Sequence, residues 1–159
     1  MLITDLEGVL PHRGPMLLLD RVIDLEPGIC GIGVRRFEAG DPCFEGHFPG
    51  MPILPGVLTI EAMAQTLMVV LLAAEKDDPS SDQRSIGYIQ RVQEMSFRRT
   101  IVPGEEIHFS VQVEKRLGRF VVASGRATCD GALCAKGSVA VALETNGAEG
   151  ALDASAGAR

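Results

Sequence analysis

One imidazole and one carboxyl in this chain have the types and setting for acid/base chemistry. Residues 45–65 read EGHFPGMPILPGVLTIEAMAQ, with His47 in the loop-like half and Glu61 fourteen positions on, inside an apolar run. An imidazole with an ordinary pKa of about 6.5 can accept a proton near neutral pH. A carboxyl in an aliphatic shell is pushed toward its neutral form and can give one. His47 therefore reads as a base and Glu61 as an acid acting on an apolar substrate. The plain alternatives are a loop histidine bonded to backbone and a buried acid paired with an arginine such as Arg21.

The elements that must position this pair follow from the pattern around it. Two stiff Pro-Gly turns, Pro49-Gly50 and Pro55-Gly56, separate the base from the acid. The second opens a helix, predicted over 55–76, where proline needs no amide hydrogen. Gly56 then lies in the first turn, where backbone amides lack intrahelical partners and the helix dipole favours negative charge. It is the candidate donor to a substrate oxygen that gains charge, or else it only serves the turn. Gln65 lies one turn beyond Glu61 on roughly the same face and could hold the carboxyl; a plain core amide is the other reading. Val57, Leu58 and Met68 would line an apolar tunnel or simply pack the core. The helix is apolar nearly all round, so it should be buried. Residues 57–74 approach the length of a membrane span, but Glu61 and Gln65 would be costly in lipid, so no membrane insertion is expected.

Elsewhere the pattern is mostly β. A short helix is expected over 4–10, capped by Thr4 and ended by Pro11. Strands are expected over 16–26 and 30–37, the second with Gly31 and Gly33 open to close packing. A polar loop follows over 77–85, then short strands over 86–91 and 94–99. From 106 to 114 the alternation is clean, with Ile107, Phe109, Val111 and Val113 inward and His108, Ser110 and Gln112 outward. Strands 120–129 and 132–143 join at Asp130-Gly131, a hairpin signal. Residues 1–145 read as one domain, and 146–159, rich in Gly and Ala without apolar period, as a disordered tail. One buried helix and about five antiparallel strands make an α+β pattern, solved most economically by a curved sheet wrapped round the helix.

Composition excludes several classes. The net charge is −6, aromatics are 4% and tryptophan is absent, which argues against phosphate neutralisation and base stacking, hence against a nucleic-acid partner. The four cysteines, with only three histidines beside them, match no zinc spacing, and no metal or cofactor is expected. Reduced core thiols in a cytoplasmic protein are the expectation, with Cys129 and Cys134 on opposite strand faces because their separation is odd. The first residues, MLITDLEGVL, lack the features of a secretory signal. His12 reads mainly as a structural residue of the LPHR turn, and His108 as an inert surface group. Arg84, Arg91, Arg98 and Arg99 cluster in an acidic chain, either as a solvated face or as a dock for an acidic partner.

LPHRGPMLLLDRV (10–22), GHFPGMPILPGVLTIEAMAQ (46–65) and SFRRTIVPGEE (96–106) together resemble the 3-hydroxyacyl-[acyl carrier protein] dehydratases of fatty-acid synthesis. Histidine, two Pro-Gly turns, acid and AMAQ in one register carry most of that resemblance. It implies the hot-dog fold and removal of water from a 3-hydroxyacyl thioester, with His47 as base, Glu61 as acid and Gly56 at the thioester oxygen. It also implies an acyl carrier protein as partner, an acyl tunnel, and a homodimer or trimer of dimers with His47 and Glu61 of each site on different subunits. Gly14, Cys43 and Thr100 depart from the residues common there, which bears on chain preference. A glutamate at 61 fits the plain dehydratase branch rather than the dehydratase-isomerase branch. The competing readings are a thioester hydrolase on the same fold and a non-catalytic acyl-binding member.

Overall fold

The helix that carries Glu61 is the axis of the molecule. The computed structural model describes residues 1–75 and 85–145. Helix α1 spans Gly56–Glu75, with Pro55 immediately before it. From Ala62 to Ala73 every residue is buried, as a helix without a polar face requires. It is long and apolar enough to cross a membrane by composition, but here it is the core helix of a sheet.

That sheet has six antiparallel strands: β1 (Arg21–Glu26), β2 (Cys30–Arg36), β3 (Ser85–Phe97), β4 (Glu106–Leu117), β5 (Phe120–Cys129) and β6 (Ala132–Thr145). Their order is β1-β2-β4-β5-β6-β3, so β3 is an edge strand. Alternation along β4 buries Ile107, Phe109 and Val111 against the helix side. The β5–β6 hairpin turns on Asp130 and Gly131 at φ 48° and 77°, the left-handed pair such a two-residue turn needs. This is the hot-dog arrangement, and the sheet lies on the helix closely enough that side chains are excluded at some positions. A Cβ on Gly31 would lie 2.9 Å from Val70 Cγ2, and one on Gly33 would strike Thr66 Oγ1 and lie 2.8 Å from Leu19 Cδ2.

Several local expectations fail for identifiable reasons. Residues 4–10 form no helix. Burial of Leu6, Val9 and Leu10 and an Ile3–Val22 bridge hold them extended along β1, with one turn closed by Gly8 N–H to Asp5 Oδ1 at 3.0 Å. The strand expected over 16–26 starts only at Arg21. Before it, Gly14–Met16 is a short 3-10 turn, and the Met16 carbonyl and Leu18 amide are taken by Gln65. The two short strands expected over 86–99 are one strand. The polar interruption is a pair of register shifts with Glu94 at φ 51°. Cys129 and Cys134 do not diverge: the hairpin turn and a bulge after Ala127 leave both buried. Burial, then a hydrogen bond with Cys134, raises the Cys129 thiol to about 12. The expected loop over 77–84, the helix end near 76 and the tail over 146–159 lie outside the described residues.

The close approach at β2 is testable. Gly33→Ala should destabilise the fold by about 1–3 kcal/mol, the usual effect of overpacking, in urea unfolding. Gly40→Ala meets open space and should stay within about 0.5 kcal/mol of wild type.

Candidate active site

His47 sits in a loop stapled to itself and to the strand region beyond it. Phe44 is buried and anchors the loop's start. Phe48 and Met51 exchange backbone hydrogen bonds, Ile53 N–H donates to the His47 carbonyl at 3.0 Å, and Leu54 N–H donates to Ile101 O at 2.8 Å. The imidazole Nδ1 lies 2.9 Å from Ile53 O. Facing a carbonyl, Nδ1 must carry the hydrogen, so Nε2 is left as the basic nitrogen of a neutral ring. Phe48 stacks on the ring at 4.1 Å between centroids. The backbone-bonded loop histidine and the base are thus the same residue: the backbone bond fixes the tautomer that a base needs.

His47 lines a cavity of about 550 Å³ together with Gly56, Val57, Phe97, Arg98 and Thr100. A Cβ on Gly56 would lie 2.8 Å from the Phe97 ring, so the glycine is required there for space as well as for the turn. Val57, 71% exposed, stands at this cavity's open side.

Glu61 lines a different cavity, of about 240 Å³, with His12, Gln65, Met68, Tyr88 and Ile89. Its Oε1 accepts from Gln65 Nε2 at 2.9 Å and lies 3.3 Å from His12 Nε2. Gln65 is 1% exposed and fully engaged. Its Nε2 also donates to Met16 O at 2.7 Å, and its Oε1 accepts from Leu18 N–H at 2.9 Å. Gln65 therefore holds the carboxyl, as one of the two sequence readings had it.

The protonation state expected for Glu61 is overturned. Hydrogen bonding from His12, outweighing burial and reinforced by Gln65, holds the carboxyl below the usual carboxylate range. The aliphatic shell is real, but the LPHR segment brings an imidazole through it. His12 is thus more than a turn residue. The turn itself is made by Arg13, whose guanidinium donates to the carbonyls of Leu10, His12 and Glu7. Spacing could not reveal this contact, because nothing local links residue 12 to residue 61. Arg21, the alternative partner for Glu61, pairs instead with Glu106 at 3.3 Å. His108 joins the same carboxylate at 3.1 Å rather than standing alone at the surface.

The remaining candidates divide. Met68 is buried beside Glu61, and Leu58 packs partly buried against the core. Arg91 is exposed on β3, and Arg98 lines the His47 cavity. Arg99 also lines it, but its guanidinium pairs with Glu105 and donates to Cys134 Sγ at 3.4 Å, so it is committed within the chain. Arg84 lies outside the described residues.

Residues 10–138 match the model of the FabA-like domain. The chain belongs to the FabA-like family. Among its relatives it is 41% identical over 137 residues to a 3-hydroxyacyl-[acyl-carrier-protein] dehydratase FabZ of Syntrophotalea carbinolica, covering 84% of this chain and 88% of that one. It is 36% identical to the enzyme of the same name from Campylobacter curvus, over 84% and 91% of the two chains. Among solved structures, the dehydratase heterocomplex ApeI:P from Xenorhabdus doucetiae aligns with a TM-score of 0.77 at 20% identity, over 89% of this chain and 91% of that one. The last likeness is one of fold. The FabA-like match spans the LPHR segment, the His47 loop and α1, the three parts that build both cavities.

Gln65→Leu should cost about 2 kcal/mol or more in chemical denaturation, because it strands the buried Leu18 amide and Met16 carbonyl. The Glu61 carboxyl gives a pH test. A depressed acid adds stability that is present above the usual carboxylate range and is lost as pH falls through its folded value. The stability difference between wild type and Glu61→Gln should therefore be widest above about pH 5 and shrink toward pH 3, in urea titrations at matched pH.

Proposed function

We infer that this chain removes water from 3-hydroxyacyl-[acyl carrier protein] thioesters, giving trans-2-enoyl thioesters. The observation that carries this reading is the His47 cavity. A base with its tautomer fixed through Ile53 faces the same space as the glycine that opens a buried helix. On this reading Nε2 of His47 takes the C2 proton. The thioester oxygen, where negative charge gathers, accepts from the Gly56 amide, aided by the helix dipole. Glu61 gives a proton to the C3 hydroxyl, which leaves as water. The acyl chain runs along the aliphatic wall near Val57 and Ile60. A thioester hydrolase would need the same pair to activate water, and no observation favours it.

The two cavities of one chain hold the base and the acid apart, and β3 supports a shared site. Tyr88 and Ile89, near one end of the strand, line the Glu61 cavity; Phe97, at the other, lines the His47 cavity. Apolar Tyr88, Val92 and Phe97 are exposed along this edge, at 47%, 40% and 53%. Antiparallel pairing of β3 with β3 of a second copy, centred near Val92, would bring His47 of one chain beside Glu61 of the other and cover that edge. The carrier protein would dock near Arg98 and Arg91, whose charge suits an acidic partner. Free thiols throughout the described residues fit a reducing cytoplasm.

The test is to give purified protein a 3-hydroxyacyl carrier-protein thioester and follow products by mass. Loss of water supports the reading, and released acid would replace it with hydrolysis. His47→Ala and Glu61→Gln should each lower kcat/KM at least about a hundredfold while remaining folded. Arg91→Glu with Arg98→Glu should raise KM for the carrier-protein substrate about tenfold and leave kcat for a pantetheine thioester near wild type.

A further inference from the structure

We propose that His12 is a positioning residue for the acid step: with Glu61 it holds the proton that Glu61 gives to the leaving hydroxyl. The inference rests on the reading of Glu61 as proton donor and deepens it. A donor must hold a proton at working pH, yet Glu61 faces two hydrogen-bond donors, His12 and Gln65, which favour its ionised form. Burial alone cannot then keep the carboxyl neutral. The group that can carry the missing proton is the imidazole 3.3 Å from Oε1. Gln65 cannot, because an amide does not titrate, and its two other hydrogen bonds fix it.

The geometry around His12 is that of a ring turned to one partner. Nε2 faces Glu61, while Nδ1 is buried with no hydrogen-bond partner among the described residues. Both residues line the same 240 Å³ cavity. The charged and titratable groups around the ring are few. From α1 there is Glu61, and from β3 Tyr88, which lines the cavity. On its own segment Arg13 is turned back onto the carbonyls of Glu7, Leu10 and His12 and onto the Glu7 carboxylate at 4.0 Å. Glu61 is the carboxylate that His12 meets. Two such coupled groups titrate as a pair, and the proton belongs to the pair rather than to either member.

The step balances as follows. The C2–H bond breaks, its proton goes to His47 Nε2, and its electron pair forms the C2–C3 double bond. The C3–O bond breaks with its pair on oxygen, which takes the proton of the His12–Glu61 pair and leaves as water. His47 then carries one proton more and the pair one fewer, and exchange with solvent restores both.

The experiment is a pH profile of kcat and KM for wild type, His12→Gln and Glu61→Gln, each checked by thermal melting. Glutamine can still donate to Glu61 but cannot hold a proton for it. A carboxyl without the imidazole releases its proton at lower pH than the pair does. His12→Gln should therefore lose kcat increasingly as pH rises, with a deficit at pH 8 at least about tenfold larger than at pH 6, while KM stays near wild type. A purely structural role would lower the rate by the same factor at both pH values, and that result overturns the proposal. If Glu61→Gln keeps wild-type rate, it is the donor reading itself that falls. Should His12→Gln not fold, His12→Asn serves. A structure of the wild-type enzyme with a 3-hydroxyacyl pantetheine analogue gives an independent check. His12 still hydrogen-bonded to Glu61 supports the pair, and an imidazole turned away from it overturns it.

Discussion

The amide of Gln65 is the contact on which the site's geometry depends. It is buried on the core helix, yet it reaches the backbone of the segment before β1 at two points, Met16 O and Leu18 N–H, and still holds Glu61. A buried amide left without partners would be costly, so these bonds fix one arrangement of segment against helix. Because residues 16–18 are pinned there, the LPHR turn is carried to the same place and His12 meets the carboxyl. The same contact interrupts the strand that the sequence seemed to promise before Arg21. A local loss of ladder hydrogen bonds is thus tied directly to the site.

The second constraint is packing. The sheet can lie on α1 only where side chains are missing, at Gly31 and Gly33 on β2 and near Met63 at Gly125 on β5. That closeness leaves the middle of the helix no solvent face and confines open space to its N-terminal portion. Both cavities lie there, one against the His47 loop and one against the LPHR segment. Strand β3 borders both and keeps an apolar edge free. The division of base and acid between two cavities is a consequence of how one chain packs, and joining them requires a second chain.

What the sequence made legible was the chemistry written in one continuous stretch. His47, the Pro-Gly turns, Gly56, Glu61 and Gln65 all fall within twenty residues of each other, and local rules of turns and helix starts place them. The α+β class and the curved sheet around one helix followed from an all-apolar helix that needed covering. What escaped were contacts between segments distant in the chain. Glu61 was expected neutral because only its helical neighbours could be seen, whereas its ionisation is set by His12. Arg99 was read with the other arginines as a surface charge, but Glu105 and Cys134 draw it in. Strand β3 was split in two at a bulge, since an irregular residue and a chain break look alike without the partner strand.

The claim at the centre of this account is that base and acid meet across a subunit boundary. Co-expressing differently tagged His47→Ala and Glu61→Gln chains and purifying the mixed dimer tests it directly. Such a dimer would contain one site with both lesions and one with neither. The account predicts about half the activity of the wild-type dimer, as two equivalent sites require, from parents that are each almost inactive. Mixed dimers as inactive as their parents would contradict it and return both residues to a site within one chain.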